Sequence, residues 1–309
     1  MSRLNVSNNR PKSHKMDRSN YPATYRAMSA ASADNQRTYF RLLKLQTIIL
    51  LSIALVSAVN WQLFPDFRAI SIVAAVFLIV LSFSQAFGQI QKYDYKWFLS
   101  RAVTESVKVQ TWRLMMRVPP YQDSPDDSSA VERFVADIRK MLSEEPDAKL
   151  VAGSKPVEGT EVTQFMLDQK AKSVTGRRDF YLQDRIQDQK DWYSQKAVSN
   201  SRSHSKWFAA TFLLQGSSGG IALLTVLFPG FPFNPTGIAT TLVASGVSWM
   251  NARRYRELSQ SYGLIAHDLS GFESVAKGAD SQEKLEKLVS NVESRISGEH
   301  TYWKARRLY

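Results

Sequence analysis

Apolar residues gather into four uncharged blocks, residues 45–64, 69–88, 207–228 and 236–250. None of them holds Asp, Glu, Lys, Arg or His. A helix crosses a bilayer with about 20 largely apolar residues, and the first three blocks have that length. The fourth has 15 residues and reaches it by borrowing Asn251 and Ala252 or the apolar turn before it. It completes a hairpin with the third block and carries Trp249 at its end, a residue type common at membrane interfaces. A buried helix of a soluble core is the alternative reading of that block. The pattern predicts an all-α membrane protein. Its four transmembrane helices form two hairpins, with spans about 45–64 and 69–88, then about 207–228 and 236–252. Cytoplasmic stalk helices extend them.

Between the blocks the polar chain also reads as helical. A helix is predicted from Ser32 or Asp34, both good N-cap types, through Tyr39 and Leu42 into the first span. The second span should leave the bilayer as one helix through Trp97, Val107 and Met115 until Pro119 and Pro120 end it. Ser128 or Ser129 caps a helix with Phe134 and Ile138 on one face. Further helices are expected over 161–173 and from Arg178 through Tyr181 and Ile186 into the third span, with Gly176 as a break. One helix should run from the fourth span to about Leu269. A last amphipathic helix uses Leu285, Leu288, Val289, Val292 and Ile296.

The same plan thus occurs twice. It divides the chain into a basic tail expected to be disordered (1–20), a first helical unit (21–150), a linker (151–160) and a second unit (161–309).

The stretch QGSSGG, residues 215–220, interrupts the third block with small and polar side chains. Helical spacing puts Thr211, Gln215, Ser218, Ala222 and Thr225 on one stripe. Gly237, Thr241, Ala244 and Ser248 form a similar stripe in the fourth block, and Ser71, Ala75, Leu78, Ser82 and Gln85 do so in the second with one large residue. In the first, Ser57 and Asn60 share a face with Gln46, with Ile53 between them. Two readings stand. Gly216 and Gly220 have the spacing that lets membrane helices pack closely, with the polar groups bonding between helices. Alternatively Asn60, Gln85, Thr211, Gln215, Ser218, Thr225, Thr241 and Ser248 face a water-filled lumen shared among subunits. Uncharged spans argue against a proton relay or coupled pump, which place ionisable groups in the membrane.

Charge sets the orientation. Of 40 Lys and Arg only Arg68 falls in a turn between paired blocks, and the net charge is +12. By the excess of basic residues near span ends, both termini and the middle region face the cytoplasm. The chain reads as multi-pass in a plasma membrane, with no secretory signal expected. The basic tail suits anionic lipid better than specific nucleic acid. There is no cysteine, no phosphate-loop or serine-elbow motif, and no histidine pair at metal-ligand spacing. No enzyme, metal or cofactor is expected. Arg177 and Arg178 are candidates for an acidic ligand, with solvated charge as the plainer reading.

Three stretches resemble the SLATT family, two-span effector domains of bacterial nucleotide-signalling conflict systems. YLQDRIQDQKDWYSQKA, residues 181–197, resembles the helix before the spans in one subgroup, through Arg185, Gln189, Trp192, Tyr193, Lys196 and Ala197. EHTYW, residues 299–303, resembles that subgroup's closing signature. Residues 97–121 resemble the post-span helix of another, through Arg101, Ala102, Glu105, Ser106, Lys108, Trp112, Arg113, Pro120 and Tyr121. The resemblance covers most of residues 21–309 as two units in tandem.

It implies an oligomeric, pore-forming or membrane-perturbing effector of antiviral defence, responding to a nucleotide signal or its producing enzyme. A non-conducting scaffold that recruits such an enzyme is the alternative. It implies no catalytic residue, and it casts Arg185 or Arg101, paired with Glu105 or Glu299, as a structural ion pair.

Overall fold

A computed structural model describes residues 15–58, 67–122, 127–144, 147–148, 151, 159–228 and 234–305. Among these the chain is helical and has no strand. In order come α1 (Ala23–Ser57), α2 (Phe67–Gln91), α3 (Tyr93–Met116), α4 (Asp127–Glu144), α5 (Gln164–Lys170) and α6 (Val174–Tyr181). A π-helical turn (Leu182–Gln187) leads into α7 (Asp188–Leu227), followed by α8 (Thr236–Arg253), α9 (Tyr255–Ala276) and α10 (Gln282–Ala305). The two expected turns, 65–68 in part and 229–233, fall outside the described residues, as do Asn60, most of the 151–160 linker and residues 1–14 of the tail.

The helices form two compact units. One comprises Met1–Ser32, Phe98–Trp192 and Ile265–Tyr309; the other comprises Ala33–Trp97 and Tyr193–Leu264. Neither is a contiguous half of the chain. Each draws on both halves, because the polar stalks share one core and the apolar blocks gather in the other unit.

The first unit has a conventional buried core. Trp112, Leu114, Met115 and Met116 of α3 are fully buried, as are Phe134 of α4, Tyr181 and Ile186. The amphipathic stripe expected on α10 is buried throughout, with Leu285, Val289 and Val292 at 0% exposure. Lys15 to Asn20, expected within the disordered tail, are placed here. Met16 is buried and its N–H donates to Asp184 Oδ2 at 2.8 Å. Asp17 caps the short turn after it by accepting from Ser19 N–H at 2.8 Å.

The start of α1 corrects the expected one. It begins at Ala23, not Ser32 or Asp34. Its N-terminal cap comes from far along the chain: Glu161 accepts from Thr24 N–H at 3.2 Å and from Thr24 Oγ1 at 2.7 Å. A carboxylate at this end also suits the helix dipole.

Two long helices are likewise broken where continuity was expected. Lys92, in the left-handed region at φ 47°, separates α2 from α3, and Arg254, at φ 52°, separates α8 from α9. The left-handed Arg117 ends α3, where Val118 N–H bonds back to Arg113 O at 3.1 Å; this satisfies a terminal carbonyl. Gly176 does not break a helix: Ser173 caps α6 and accepts from its N–H at 3.2 Å.

The second unit is inverted in character. Leu55, Ile72, Phe83, Phe212, Leu213, Val226 and Leu227 are all more than half exposed. Three helical stretches, Ala23–Ser57, Ile72–Met116 and Val174–Leu227, are long and apolar enough to cross a membrane. Their most apolar windows are only 11%, 6% and 6% buried, the opposite of what water would select. α8 is not among them, since Thr, Ser and Gly dilute its apolar content.

Contacts in this unit run in opposite chain directions. Gly88 meets Leu42, and Gln46 Nε2 donates to Ser84 O at 3.3 Å, so α1 and α2 are antiparallel. Trp207 packs near Trp249 and Tyr193 near Tyr262, which makes α7 antiparallel to the α8–α9 run.

Candidate functional site

The first unit buries charge. Arg185, 1% exposed, sits on the π-helical turn; Glu293, 0% exposed, sits on α10 within the apolar stripe. The guanidinium donates through Nε to Oε1 at 2.9 Å and through NH2 to Oε2 at 2.6 Å. This two-pronged geometry is the strongest available to the pair. The Tyr181 hydroxyl donates to Glu293 Oε1 at 2.8 Å. Trp112 lies beneath, with Arg185 5.9 Å from its ring centroid, and its indole N–H donates to the Tyr21 hydroxyl at 3.3 Å.

A π-turn shifts the side-chain phase relative to an α-helix, and here Tyr181, Arg185 and Ile186 all face inward. Burial alone would pull the Arg185 pKa down; the Glu293 carboxylate more than offsets that and holds it above the ordinary arginine value. Burial and then the Glu293 charge push the Tyr181 phenol well up. Tyr181 therefore stays protonated and donates.

This corrects the pairing that the resemblance implied. Arg185 pairs with Glu293 rather than with Glu105. Glu105 bonds Lys108 at 3.0 Å, one turn along α3. Arg101 is half-buried on the same helix and engaged within the chain. Glu299 lies in α10 with its side chain outside those described.

Arg177 and Arg178, offered for an acidic ligand, spend donors on the fold. Arg177 is 4% exposed. It donates to Lys170 O at 3.3 Å, to Lys172 O at 3.0 Å and to Gln282 Oε1. Gln282 in turn donates to Arg117 O at 2.6 Å. Burial, then the nearby Arg117 charge, lowers the Arg177 pKa. Arg178 donates to Asp179 Oδ1 at 2.8 Å and to Lys277 O at 3.1 Å.

The stripe residues of the second unit divide by how they satisfy themselves. Thr225 and Thr241 donate to carbonyls of their own helices, Ala222 O and Gly237 O, both at 2.8 Å. Thr211, 7% exposed, packs on α8, its hydroxyl 3.7 Å from Met250 sulfur. Ser218 is half-exposed, while Gln85, Gln215 and Ser248 are exposed. Among the described residues Gln85 and Gln215 have no hydrogen-bond partner, whereas Gln46 donates across to α2.

Among the described residues the close packing expected at Gly216 and Gly220 is not found: a Cβ added at either meets nothing within 4 Å. Both lie on an open face of α7. The tight approaches are at Gly246, where an added Cβ would lie 3.1 Å from Thr211 Oγ1, and at Gly88, where it would lie 2.8 Å from Leu42 Cδ2. Spacing on one helix reveals small residues but not which of them face a neighbour.

Two family models match the chain. The model of SMODS and SLOG-associating 2TM effector domain 3 matches residues 22–178, and that of SMODS and SLOG-associating 2TM effector domain 1 matches residues 181–303. The chain belongs to the SLATT family. No curated protein and no solved structure matches it.

SLATT domains are two-span effectors associated with conflict and defence systems, and they are not a known enzyme family. This SLATT chain is a membrane protein with two such matches in tandem. Its buried network takes Trp112 from the first match and Tyr181, Arg185 and Glu293 from the second, so the tandem SLATT regions share one core.

Proposed function

We propose that the chain is an oligomeric effector in a bacterial plasma membrane. It opens or disrupts the bilayer during antiviral defence, when a nucleotide signal or the enzyme producing it engages the first unit. Four helices span, as two hairpins, with both termini cytoplasmic.

Support for the fourth span comes from its neighbours rather than its hydropathy. Asn234 N–H donates to Ala58 O at 2.7 Å, and Trp249 packs on Phe40 at 5.7 Å. Phe40 to Ala58 is about 27 Å of helix, close to the hydrocarbon thickness of about 30 Å. α8 thus covers the depth of α1.

One observation carries the pore reading: the exposed, unpartnered amides of Gln85 and Gln215 on otherwise apolar helices. A hydroxyl can bond its own helix; a glutamine amide facing hydrocarbon cannot do so as readily, and an unsatisfied polar group there costs several kcal/mol. Neighbouring subunits or lumen water would satisfy it. The signal shifts a closed population to an open one only if it binds the open form better.

The experiment is induction of the full chain with its trigger while membrane potential and dye uptake are followed. Depolarisation with uptake is expected. Full potential in activated cells, with a soluble partner still recovered on the chain, would instead establish the scaffold role.

A further inference from the structure

We propose that the second unit carries a binding site for a phosphate group, supplied by an anionic phospholipid, built around Arg253, Trp249 and Lys44. The four apolar blocks come together at one end here. Lys44 precedes the first, Trp97 follows the second, Trp207 begins the third and Arg253 follows the fourth.

The Arg253 guanidinium carbon lies 3.8 Å from the Phe40 ring centroid and 4.8 Å from that of Trp249. Phe40 is itself braced by Trp97 at 5.7 Å, and Trp249 by Trp207 at 6.2 Å. The guanidinium is therefore held against two rings by cation–π contact, which pairs none of its five N–H donors with an oxygen or nitrogen acceptor.

Those donors have no taker. Among the described residues Arg253 makes neither a hydrogen bond nor an ion pair, and its Nε is buried without a partner. The indole N–H of Trp249 is also buried without a partner. Two desolvated donors side by side call for an acceptor, since buried donors in native proteins are nearly always bonded. The exposed Lys44 ammonium, 5.7 Å from the Trp249 ring centroid, adds a second positive charge.

Charge balance settles the sign of the ligand. The segments forming this unit carry 12 Lys and Arg against 4 Asp and Glu. Two of those acids are engaged elsewhere: Asp34 lies 3.7 Å from Arg37, and Asp94 is held within the chain. A planar fork, an indole N–H and an ammonium suit tetrahedral phosphate oxygens. At the ends of apolar helices flanked by tryptophan, such oxygens belong to headgroups. The site requires the second unit to lie in a bilayer, but it requires no conduction.

The test uses the full-length chain, delipidated in maltoside micelles. Dihexanoyl phosphatidylglycerol and inorganic phosphate are the two probes, read by native mass spectrometry and tryptophan fluorescence. Wild type should retain the phospholipid. Arg253→Gln should weaken retention about tenfold, as loss of a charge-assisted bond does. Trp249→Phe, which keeps a ring and loses only the donor, should weaken it by about threefold to fivefold.

Saturable binding of inorganic phosphate, abolished by Arg253→Gln, would keep the phosphate site and assign it a soluble source. Unchanged phospholipid retention in both variants, each helical and monodisperse, would overturn it. If Arg253→Gln does not fold, Trp249→Phe decides alone.

Discussion

Arg185 and Glu293, 108 residues apart in sequence, form a two-pronged ion pair with both side chains at or below 1% exposure. The pair joins the π-helical turn to α10. Removing one partner from such a pair strands the other and costs about 3–5 kcal/mol, whereas replacing both by apolar groups is often neutral.

Glu293→Ala should accordingly destabilise the first unit by about 3–5 kcal/mol. Arg185→Met with Glu293→Leu should cost clearly less than the two single changes added together. Thermal unfolding of the four proteins in one detergent closes the cycle. Additive effects would show that the pair is not an energetic unit.

Glu161 predicts a remote effect on α1. Its carboxylate caps Thr24 from 137 residues away. Glu161→Ala should destabilise the helix N-terminus by about 1 kcal/mol, the usual worth of a cap, while Asp34→Ala should leave that terminus unchanged. Hydrogen exchange at residues 23–27 reads the difference directly.

These two contacts mark what the sequence could and could not reveal. The buried stripe of α10 and the pair Phe134 and Ile138 were legible because helical periodicity is local. So were the apolar blocks, and the motif residues between 181 and 197 identified the family. Glu293 was hidden because a charge on an apolar stripe makes sense only beside Arg185. The start of α1 was hidden because its cap is not a neighbour in sequence. The breaks at Lys92 and Arg254 had no glycine to announce them. Gly216 and Gly220 were visible as a spacing, but Gly246, without such a partner, is the one set tightly against Thr211.

Those glycines separate packing within a chain from packing between chains. Gly246→Val must fit its Cβ 3.1 Å from Thr211 Oγ1, and such overpacking costs about 1–3 kcal/mol. Gly216→Val meets only open space within the chain. The first should lower the stability of the monomer in detergent; the second should leave it unchanged. If Gly216→Val shifts only the oligomer distribution, by light scattering or crosslinking, that open face of α7 is a subunit contact.

The pore reading turns on one amide. Gln215→Leu should preserve insertion, since leucine is favourable in a span, and should reduce conductance in reconstituted bilayers. Gln46→Leu is the control: that amide is already spent on Ser84 O at 3.3 Å, so its loss should act on stability rather than on current. Undiminished current through Gln215→Leu would remove that residue from the lumen.

Acid should loosen α9 before the rest of the first unit. Glu273 on α9 accepts from Lys190, at 2.5 Å, and from Gln187. These bonds, the Lys190 bond first, hold its carboxyl below the ordinary glutamate value of 4.5. A carboxyl with a lowered folded-state pKa contributes stability fully above its unfolded value and loses it as the pH falls through the folded one. Unfolding measured from pH 6 to pH 3, about the range over which a carboxylate titrates, should therefore show an acid limb that Glu273→Gln flattens. Arg185, with its pKa raised by Glu293, stays charged throughout that window, so its own titration contributes nothing to the limb. An unaltered limb in Glu273→Gln would locate the acid sensitivity elsewhere than the contact between α9 and the π-helical turn.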